Sequence, residues 1–229
     1  MNMVRSLLLI FIGGVLLGLG ACKQGWWLLL AWIGLSFLWL GVAHAIGWHR
    51  AFGKRSDGTL PLWSKLLHLP LLAYTSLFWH LLRLFSQRPA QTQVTEQLVI
   101  GRRLLALELK EEYVNYIDLT AEFQEPAAIR RQAGYFCFPI LDASAPAPEA
   151  MRLAIDQLRP GKTYVHCAQG YGRTGLFALA MLLSSRTVKD IAEGLQMLKK
   201  LRPGIRLNAV QLRCIEAYAH TLKSESPSS

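Results

Sequence analysis

Val165-His166-Cys167-Ala168-Gln169-Gly170-Tyr171-Gly172-Arg173-Thr174-Gly175 decides the reading of this chain, because it sets a cysteine at the end of a strand pattern and an arginine six residues later at the mouth of a helix. Upstream, Lys162-Thr163-Tyr164-Val165-His166 is short and β-prone; downstream, Leu176 to Leu183 is a strong helix former. The intervening loop is therefore a strand-to-helix turn. Gly170 and Gly172 are both expected to take φ > 0 and turn successive N–H groups inward, making a nest for an anion at the helix N-terminus. The helix dipole and the fixed cation of Arg173 favour the thiolate of Cys167, its nucleophilic form. Arg173 can bind two phosphate oxygens through its planar fork. Thr174 offers a hydroxyl to stabilise the sulfur as a leaving group, and His166 orients the loop through hydrogen bonds rather than acting as the base.

His166-Cys167, five residues, then Arg173-Thr174 resembles the signature of the cysteine-dependent protein tyrosine and dual-specificity phosphatases, and is most similar to the small atypical dual-specificity type. The resemblance implies a substrate phosphate held by Ala168, Gln169, Gly170, Tyr171, Gly172 and Arg173, with no metal and no cofactor. It also implies a general acid, an Asp on an upstream loop. Asp142 follows the apolar run Tyr135 to Leu141 and opens the loop Asp142-Ala143-Ser144-Ala145-Pro146-Ala147-Pro148, which its prolines keep irregular. Asp142 is accordingly the expected acid, with a helix or turn cap as its alternative role. Asp156 sits inside a helix pattern, Glu149 to Leu158, and reads as a solvated surface carboxylate.

The resemblance covers roughly 94–223. Leu98 to Arg102 looks like the opening strand of such domains, Tyr116 to Glu122 like the strand ending in an Asp-Leu-Thr-x-Glu turn, and Arg202-Pro203-Gly204 like the approach to the last helix, with Asn208 and Gln211 behind the loop. The element order implies an α/β fold with a central, mainly parallel sheet flanked by helices, and a site at the carboxyl end of the Cys167 strand.

The preceding part has another composition. Net charge is +7 over residues 1–93, with Asp57 the only acid, and +3 over 94–229. The basic balance therefore belongs mostly to an apolar region. No basic stripe with interleaved aromatics is present, which argues against nucleic acid as a partner, and Lys199-Lys200-Leu201-Arg202 reads as a solvated helix end. Ser6 to Ala21 is continuously apolar but short for a 30 Å hydrocarbon layer; Trp26 to Trp48 is long enough to span it. Lys23, Gln24 and Gly25 interrupt the two as the turn of a transmembrane hairpin over 1–50. Arg5, Arg50, Lys54 and Arg55 flank the hairpin against Lys23 in its turn, which puts both hairpin ends, and the catalytic domain, in the cytoplasm; a Trp- and Leu-rich hairpin with so few polar residues suits a bacterial inner membrane, and a eukaryotic organelle membrane is the alternative. Trp26, Trp27 and Trp48 would lie near the interfaces. A cleaved signal peptide, or a lipoprotein box ending in Cys22, is the competing account.

Residues 51–93 comprise a basic loop and an apolar stretch, Leu60 to Phe85, whose polar row Lys65, His68, Ser76, His80, Arg83 and Gln87 leaves a wide apolar face. This predicts an amphipathic helix in the membrane interface with its basic residues toward headgroups, or a third span whose polar row faces the hairpin. Residues 224–229 read as a disordered tail. Cys137 and Cys214 read as small buried hydrophobes, Cys137 also as a possible resolving partner of Cys167.

The function expected from these readings is a membrane-anchored phosphatase acting through a phosphocysteine intermediate on phosphoproteins, carrying phosphotyrosine or phosphoserine/threonine. The alternative is a phospholipid phosphatase acting on phosphatidylglycerophosphate or a phosphoinositide. Membrane lipids are the other partner. The neutral side chains of Ala168, Gln169 and Tyr171 weigh against an anionic lipid. A non-catalytic, phosphate-binding module is the remaining alternative.

Overall fold

The computed structural model describes residues 3–23 and 25–224. They fall into two compact units, one of residues 3–55, 59–87 and 121–124, the other of 56–58, 88–120 and 125–224. The expected tail from 225 onward, and Gln24 in the hairpin turn, lie outside the described residues.

The first unit is helical. α1 (Met3–Lys23) runs 21 residues, so the apolar segment that looked short is carried past the hydrocarbon length by its flanking residues. A 3₁₀ turn, Gly25–Trp27, leads into α2 (Leu28–Ile46), which ends on Gly47 in the left-handed conformation. The two helices meet through small residues. A Cβ on Gly13 would lie 2.7 Å from the Leu38 nitrogen, one on Gly34 2.6 Å from the Gly13 oxygen, and one on Gly41 2.9 Å from the Ile10 nitrogen. Glycines seven residues apart on each helix thus let the backbones touch, as in helix pairs packed in lipid. Leu7, Leu8, Phe11, Leu28, Leu35 and Val42 point outward, exposed.

The apolar stretch that follows divides at His68 into α3 (Leu62–Leu67) and α4 (Leu69–Phe85). Pro70 lacks the N–H that would bond Leu66, and the carbonyls left over are taken by α2. Trp32 Nε1 donates to Leu66 O and Leu67 O at 3.1 and 3.0 Å, and Ser36 Oγ to Leu67 O at 2.6 Å. The polar row is divided: Lys65 and Gln87 at its ends are exposed, as a headgroup-facing stripe requires, while its middle turns inward. His68 is buried and Ser76, His80 and Arg83 are half-buried around the buried Trp79, whereas Leu69, Leu77, Phe78, Leu81 and Phe85 are exposed. Periodicity found the two faces; it could not say that the middle of the polar one packs inward.

The second unit is the α/β domain. Its five-stranded sheet has the order β1-β2-β5-β3-β4, from β1 (Gln91–Gln93), β2 (Leu98–Arg102), β3 (Asn115–Thr120), β4 (Tyr135–Ile140) and β5 (Thr163–Cys167). All pairings are parallel except the edge strand β1 on β2. The short α5 (Ala127–Arg130) precedes β4, α6 (Pro148–Asp156) precedes β5, and α7 (Gly172–Ser184), α8 (Ile191–Leu201) and α9 (Ala209–Ser224) follow it. β5 is central and wholly buried, as the near-continuous apolar reading of a parallel strand requires. α7 is the core helix: Leu176, Phe177, Ala178, Leu179 and Ala180 are each fully buried. Its burial fixes the direction in which β5 must hand the chain to the helix, and so fixes the loop between them.

Candidate active site

Cys167 is the last residue of β5 and Gly172 the first of α7, so the loop spans only Ala168 to Tyr171. Gly170 takes φ +73°, and a Cβ there would run into the Gly101 carbonyl of β2 and come within 2.7 Å of the Arg102 nitrogen. Only glycine fits. The expectation of positive φ fails at Gly172, which is helical; a Cβ there would lie 3.3 Å from the Gln211 amide atoms, a close but adjustable contact.

The bend turns amides onto the sulfur. Gly170 N–H donates to Cys167 Sγ at 3.3 Å. The helix begins at Tyr171 with no side chain capping it, leaving the first-turn N–H groups to the loop's own concavity. From behind, Arg103 N–H donates to Cys167 O at 2.8 Å.

Arg173 and Asp142 meet at the mouth. Arg173, 3% exposed, donates from Nη1 to Ile140 O at 2.9 Å, and its Nη2 lies 3.5 Å from Asp142 Oδ1. β4 ends at Ile140, so the strand end itself places the arginine opposite the carboxylate. The Asp142 side chain is 61% exposed and thus open to a substrate. Its loop is held by α9: Asn208 Nδ2 donates to Ala143 O at 2.9 Å, Gln211 Nε2 to Ser144 O at 3.3 Å and Cys214 Sγ to Pro146 O at 3.2 Å. Ala143 sits at φ +57°, a left-handed position for a residue with a Cβ. Burial lifts the Cys214 thiol to about 11, which keeps it protonated and inert.

Asp142, Ala143, Cys167 to Gln169, Tyr171 to Arg173, Arg206, Asn208 and Gln211 enclose a cleft of about 260 Å³. Arg206, exposed at its rim, was not singled out in the sequence, where it followed Arg202-Pro203-Gly204-Ile205 with no periodicity to mark it. Thr174 is fully buried, and its Oγ1 has no hydrogen-bond partner among the described residues. Asp156 is the exposed partner of Arg152 on α6, 3.5 Å away and outside the cleft, as the sequence implied.

His166 is fully buried beside the loop. Its Nδ1 lies 3.4 Å from Cys167 O, its Nε2 3.8 Å from Asp118 Oδ1, and its ring packs 5.1 Å from that of Tyr116. Asp118 in turn accepts from Thr120 N, Thr120 Oγ1 and the Tyr135 hydroxyl, at 2.9, 2.7 and 2.7 Å. Burial and the Asp118 carboxylate push the Tyr135 phenol far above its ordinary value, so it remains the donor. Asp118, Glu125 and His166 bring one ligand atom each within 4.8 Å of the others. Yet Glu125 is engaged by Arg103 at 2.6 Å and Asp118 by three donors, so both carboxylates are already taken up in buried hydrogen bonds and ion pairs rather than held open for a metal.

Two further expectations are corrected by this geometry. Arg202 is not part of a solvated helix end: it is 3% exposed and packed against the loop. Cys137 cannot resolve Cys167 in place, because β3 lies between their strands. Two strand spacings are about 9–10 Å, beyond the Cα separation a disulfide tolerates.

No protein-family model and no curated protein matches this sequence. Solved structures do. Tk-PTP in its active form is similar with a TM-score of 0.52 and 22% identity, over 58% of this chain and 97% of that one. A variant of human DUSP28 gives 0.53 and 19%, over 61% and 100%. PTPMT1, crystallised in complex with PI(5)P, gives 0.51 and 14%, over 60% and 99%. The likeness is one of fold: the α/β unit has the dual-specificity phosphatase architecture.

Proposed function

We propose that this protein is a membrane-anchored phosphatase that hydrolyses phosphomonoesters through a phosphocysteine intermediate. The observation that carries the reading is the convergence of Cys167, the Gly170 amide, the uncapped start of α7, Arg173 and Asp142 on one cleft. In the first step Cys167 Sγ attacks phosphorus and forms the S–P bond as the ester P–O bond breaks. Arg173 and the loop amides hold the non-bridging oxygens, and Asp142 gives its proton to the departing oxygen. In the second step water attacks phosphorus, Asp142 takes its proton, and the thiolate leaves as inorganic phosphate forms. The buried, unpartnered Thr174 hydroxyl is suited to donate to that thiolate. His166 shapes the loop and takes no proton.

The anchor is the α1–α2 hairpin. Among the described residues, these two helices alone are long and apolar enough to cross a membrane, and α4, at 17 residues or about 25 Å, is short for it. Arg5, Arg50, Lys54 and Arg55 at the open end support a cytoplasmic catalytic unit.

Phosphoproteins are the substrate this fold's default suggests, and Tyr171 at the cleft gives a wall for an aromatic ester. A phospholipid headgroup is the second reading, and Arg206 favours it: the cation that the loop side chains lack is supplied at the rim by another segment. PTPMT1 shows that this fold can receive a phosphoinositide. The test uses the full chain in detergent micelles, with chelator present. Hydrolysis of a phosphotyrosine peptide is compared with that of short-chain phosphatidylglycerophosphate and phosphoinositides, beside Cys167→Ser. Turnover abolished by Cys167→Ser supports the mechanism, and the preferred substrate separates the two readings. A folded wild type that binds tungstate and hydrolyses none of them overturns the enzyme reading in favour of a phosphate-binding module.

A further inference from the structure

Arg202 follows α8 directly and reaches the back of the loop with its whole guanidinium. Nε donates to Gly170 O at 2.9 Å and Nη2 to Gln169 O at 3.2 Å, while Nη1 donates to Pro89 O at 3.0 Å and Thr92 Oγ1 at 3.1 Å. Its face stacks on Tyr171, 5.2 Å from the ring centroid, and Arg88 covers the same ring at 5.4 Å while donating to its hydroxyl at 3.1 Å. All four acceptors of Arg202 are neutral. Among the described residues no carboxylate pairs with it, although it is 3% exposed.

Two consequences follow from elementary chemistry. In a trans peptide the C=O and N–H point in opposite directions. The carbonyl of Gln169 shares its peptide with the Gly170 N–H, which donates to Cys167 Sγ, and the carbonyl of Gly170 shares its peptide with the Tyr171 N–H. Gripping both oxygens from behind turns both N–H groups toward the anion. Second, a buried cation bonded only to neutral groups is costly unless an anion lies near. Desolvation is the largest influence on Arg202 and disfavours its charge; the opposing influences come from Tyr171, Tyr164 and Cys167. The anion that offsets its burial is the contents of the loop.

We propose that Arg202 is the positioning residue of the phosphate loop, holding the Gly170 and Tyr171 peptides with their N–H groups inward and placing a second buried positive charge, besides Arg173, behind Cys167 and a bound oxyanion. Its remaining donor, Nη1, bonds Pro89 O and Thr92 Oγ1, which lie outside the cleft. The proposal rests on the reading of this loop as an oxyanion site.

The test compares Arg202→Met, Arg202→Lys and Thr92→Val in the full chain, each checked for an unchanged circular dichroism spectrum. Three quantities are read: tungstate affinity, kcat and KM on an aryl phosphate, and the rate at which iodoacetamide alkylates Cys167 at pH 6, followed by peptide mass spectrometry. Arg202→Met is expected to weaken tungstate binding and slow alkylation by about tenfold each. Its kcat is expected to fall on the order of 10²-fold with KM changed far less, as for loss of an oxyanion donor. Arg202→Lys keeps the charge without the fork: alkylation is expected to stay near wild type while kcat falls as in Arg202→Met. Thr92→Val, which cuts only the tie to β1, is expected to leave all three unchanged. Wild-type tungstate affinity and alkylation in a folded Arg202→Met, or an equal loss in Thr92→Val, would overturn the proposal and leave Arg202 a structural staple. If Arg202→Met does not fold, Arg202→Lys decides by the split between alkylation and kcat, and equal values of both to wild type refute it. A wild type that binds tungstate without hydrolysing any ester removes the phosphatase reading, and the tungstate and alkylation arms still judge Arg202.

Discussion

Replacing Asp142 by Asn removes one proton and one negative charge from the mouth of the cleft, and the geometry makes these two losses act in opposite directions. Asp142 Oδ1 lies 3.5 Å from Arg173 Nη2, with the carboxylate largely in water. At that distance and a water-like dielectric the attraction is about 1 kcal/mol. A bound oxyanion competes with Asp142 for Arg173 and is repelled by its charge. Asn should therefore bind tungstate or vanadate more tightly, by up to about fivefold, the equivalent of that 1 kcal/mol. Turnover should move the other way. General acid catalysis contributes ~10²–10⁴-fold, and all of it is needed when the leaving group is a strongly basic alkoxide, little when it is a stable nitrophenolate. The assay is kcat for an alkyl and a nitrophenyl phosphate, with tungstate affinity by calorimetry, in wild type and Asp142→Asn. The expected result is a large loss on the alkyl ester, a small loss on the nitrophenyl ester, and tighter tungstate. Equal losses on both esters, or weaker tungstate binding, would refute Asp142 as the acid and return it to the role of a turn residue.

Thr174→Val keeps the volume of a side chain that is fully buried and deletes its unpartnered hydroxyl. Formation of phosphocysteine should persist while its hydrolysis slows, so rapid-quench experiments should show a burst of alcohol release followed by turnover reduced about tenfold or more; a uniform slowing without a burst argues that the hydroxyl serves only the fold. Arg206→Glu should reduce hydrolysis of a phospholipid bearing a second anionic group by about tenfold or more and affect an aryl phosphate with an uncharged aryl group far less; equal effects on both would remove Arg206 as a selector of charge. Gly34→Val forces α1 and α2 apart, since a Cβ there would lie 2.6 Å from both the Gly13 oxygen and the Leu17 nitrogen, whereas one on Gly14 meets nothing within 4 Å. Overpacking of this kind costs about 1–3 kcal/mol, so Gly34→Val should lower the melting temperature of the first unit in detergent while Gly14→Ala does not; matching melts would show that the hairpin is not closely packed.

The legibility of this chain followed the range of its interactions. Cys167, Arg173, Thr174 and the glycines act within a few residues of one another, and the strand before and helix after them are locally encoded, so the loop could be read from consecutive letters. Asp142 was legible because its prolines mark the loop. Arg202 was not: in Lys199-Lys200-Leu201-Arg202 it has the same local appearance as its solvated neighbours, and only the packing of α8 beside α7 brings it behind Gly170. Glu125 was hidden for the same reason, since its partner Arg103 lies on a different segment, whereas Asp118 was visible in its Asp-Leu-Thr turn and only its approach to His166 was not. In α4 the period separated a polar from an apolar face and left two directions open, because polarity alone does not say whether a polar face meets water or protein. Gly172 was read as a left-handed residue, whereas it opens α7 in helical conformation.

The neutrality of the loop side chains now has a different meaning. Ala168, Gln169 and Tyr171 weighed against an anionic substrate because charge was sought inside the loop. The site draws its cations from four separate places: Arg173 on α7, Arg202 behind the loop, Arg206 at the rim of the cleft, and Arg88 over Tyr171. Two are buried and two exposed. In the proposed reaction the buried pair would act on the phosphate being transferred, in surroundings where charge is little screened, and the exposed pair on whatever lies beyond it, weakening with salt. Selectivity for a second anionic group should therefore decline as ionic strength rises, while turnover of a small neutral-tailed ester declines far less. A motif confined to ten residues reports the first pair at most by half. The second pair belongs to the substrate, and only the folded chain brings it to the mouth.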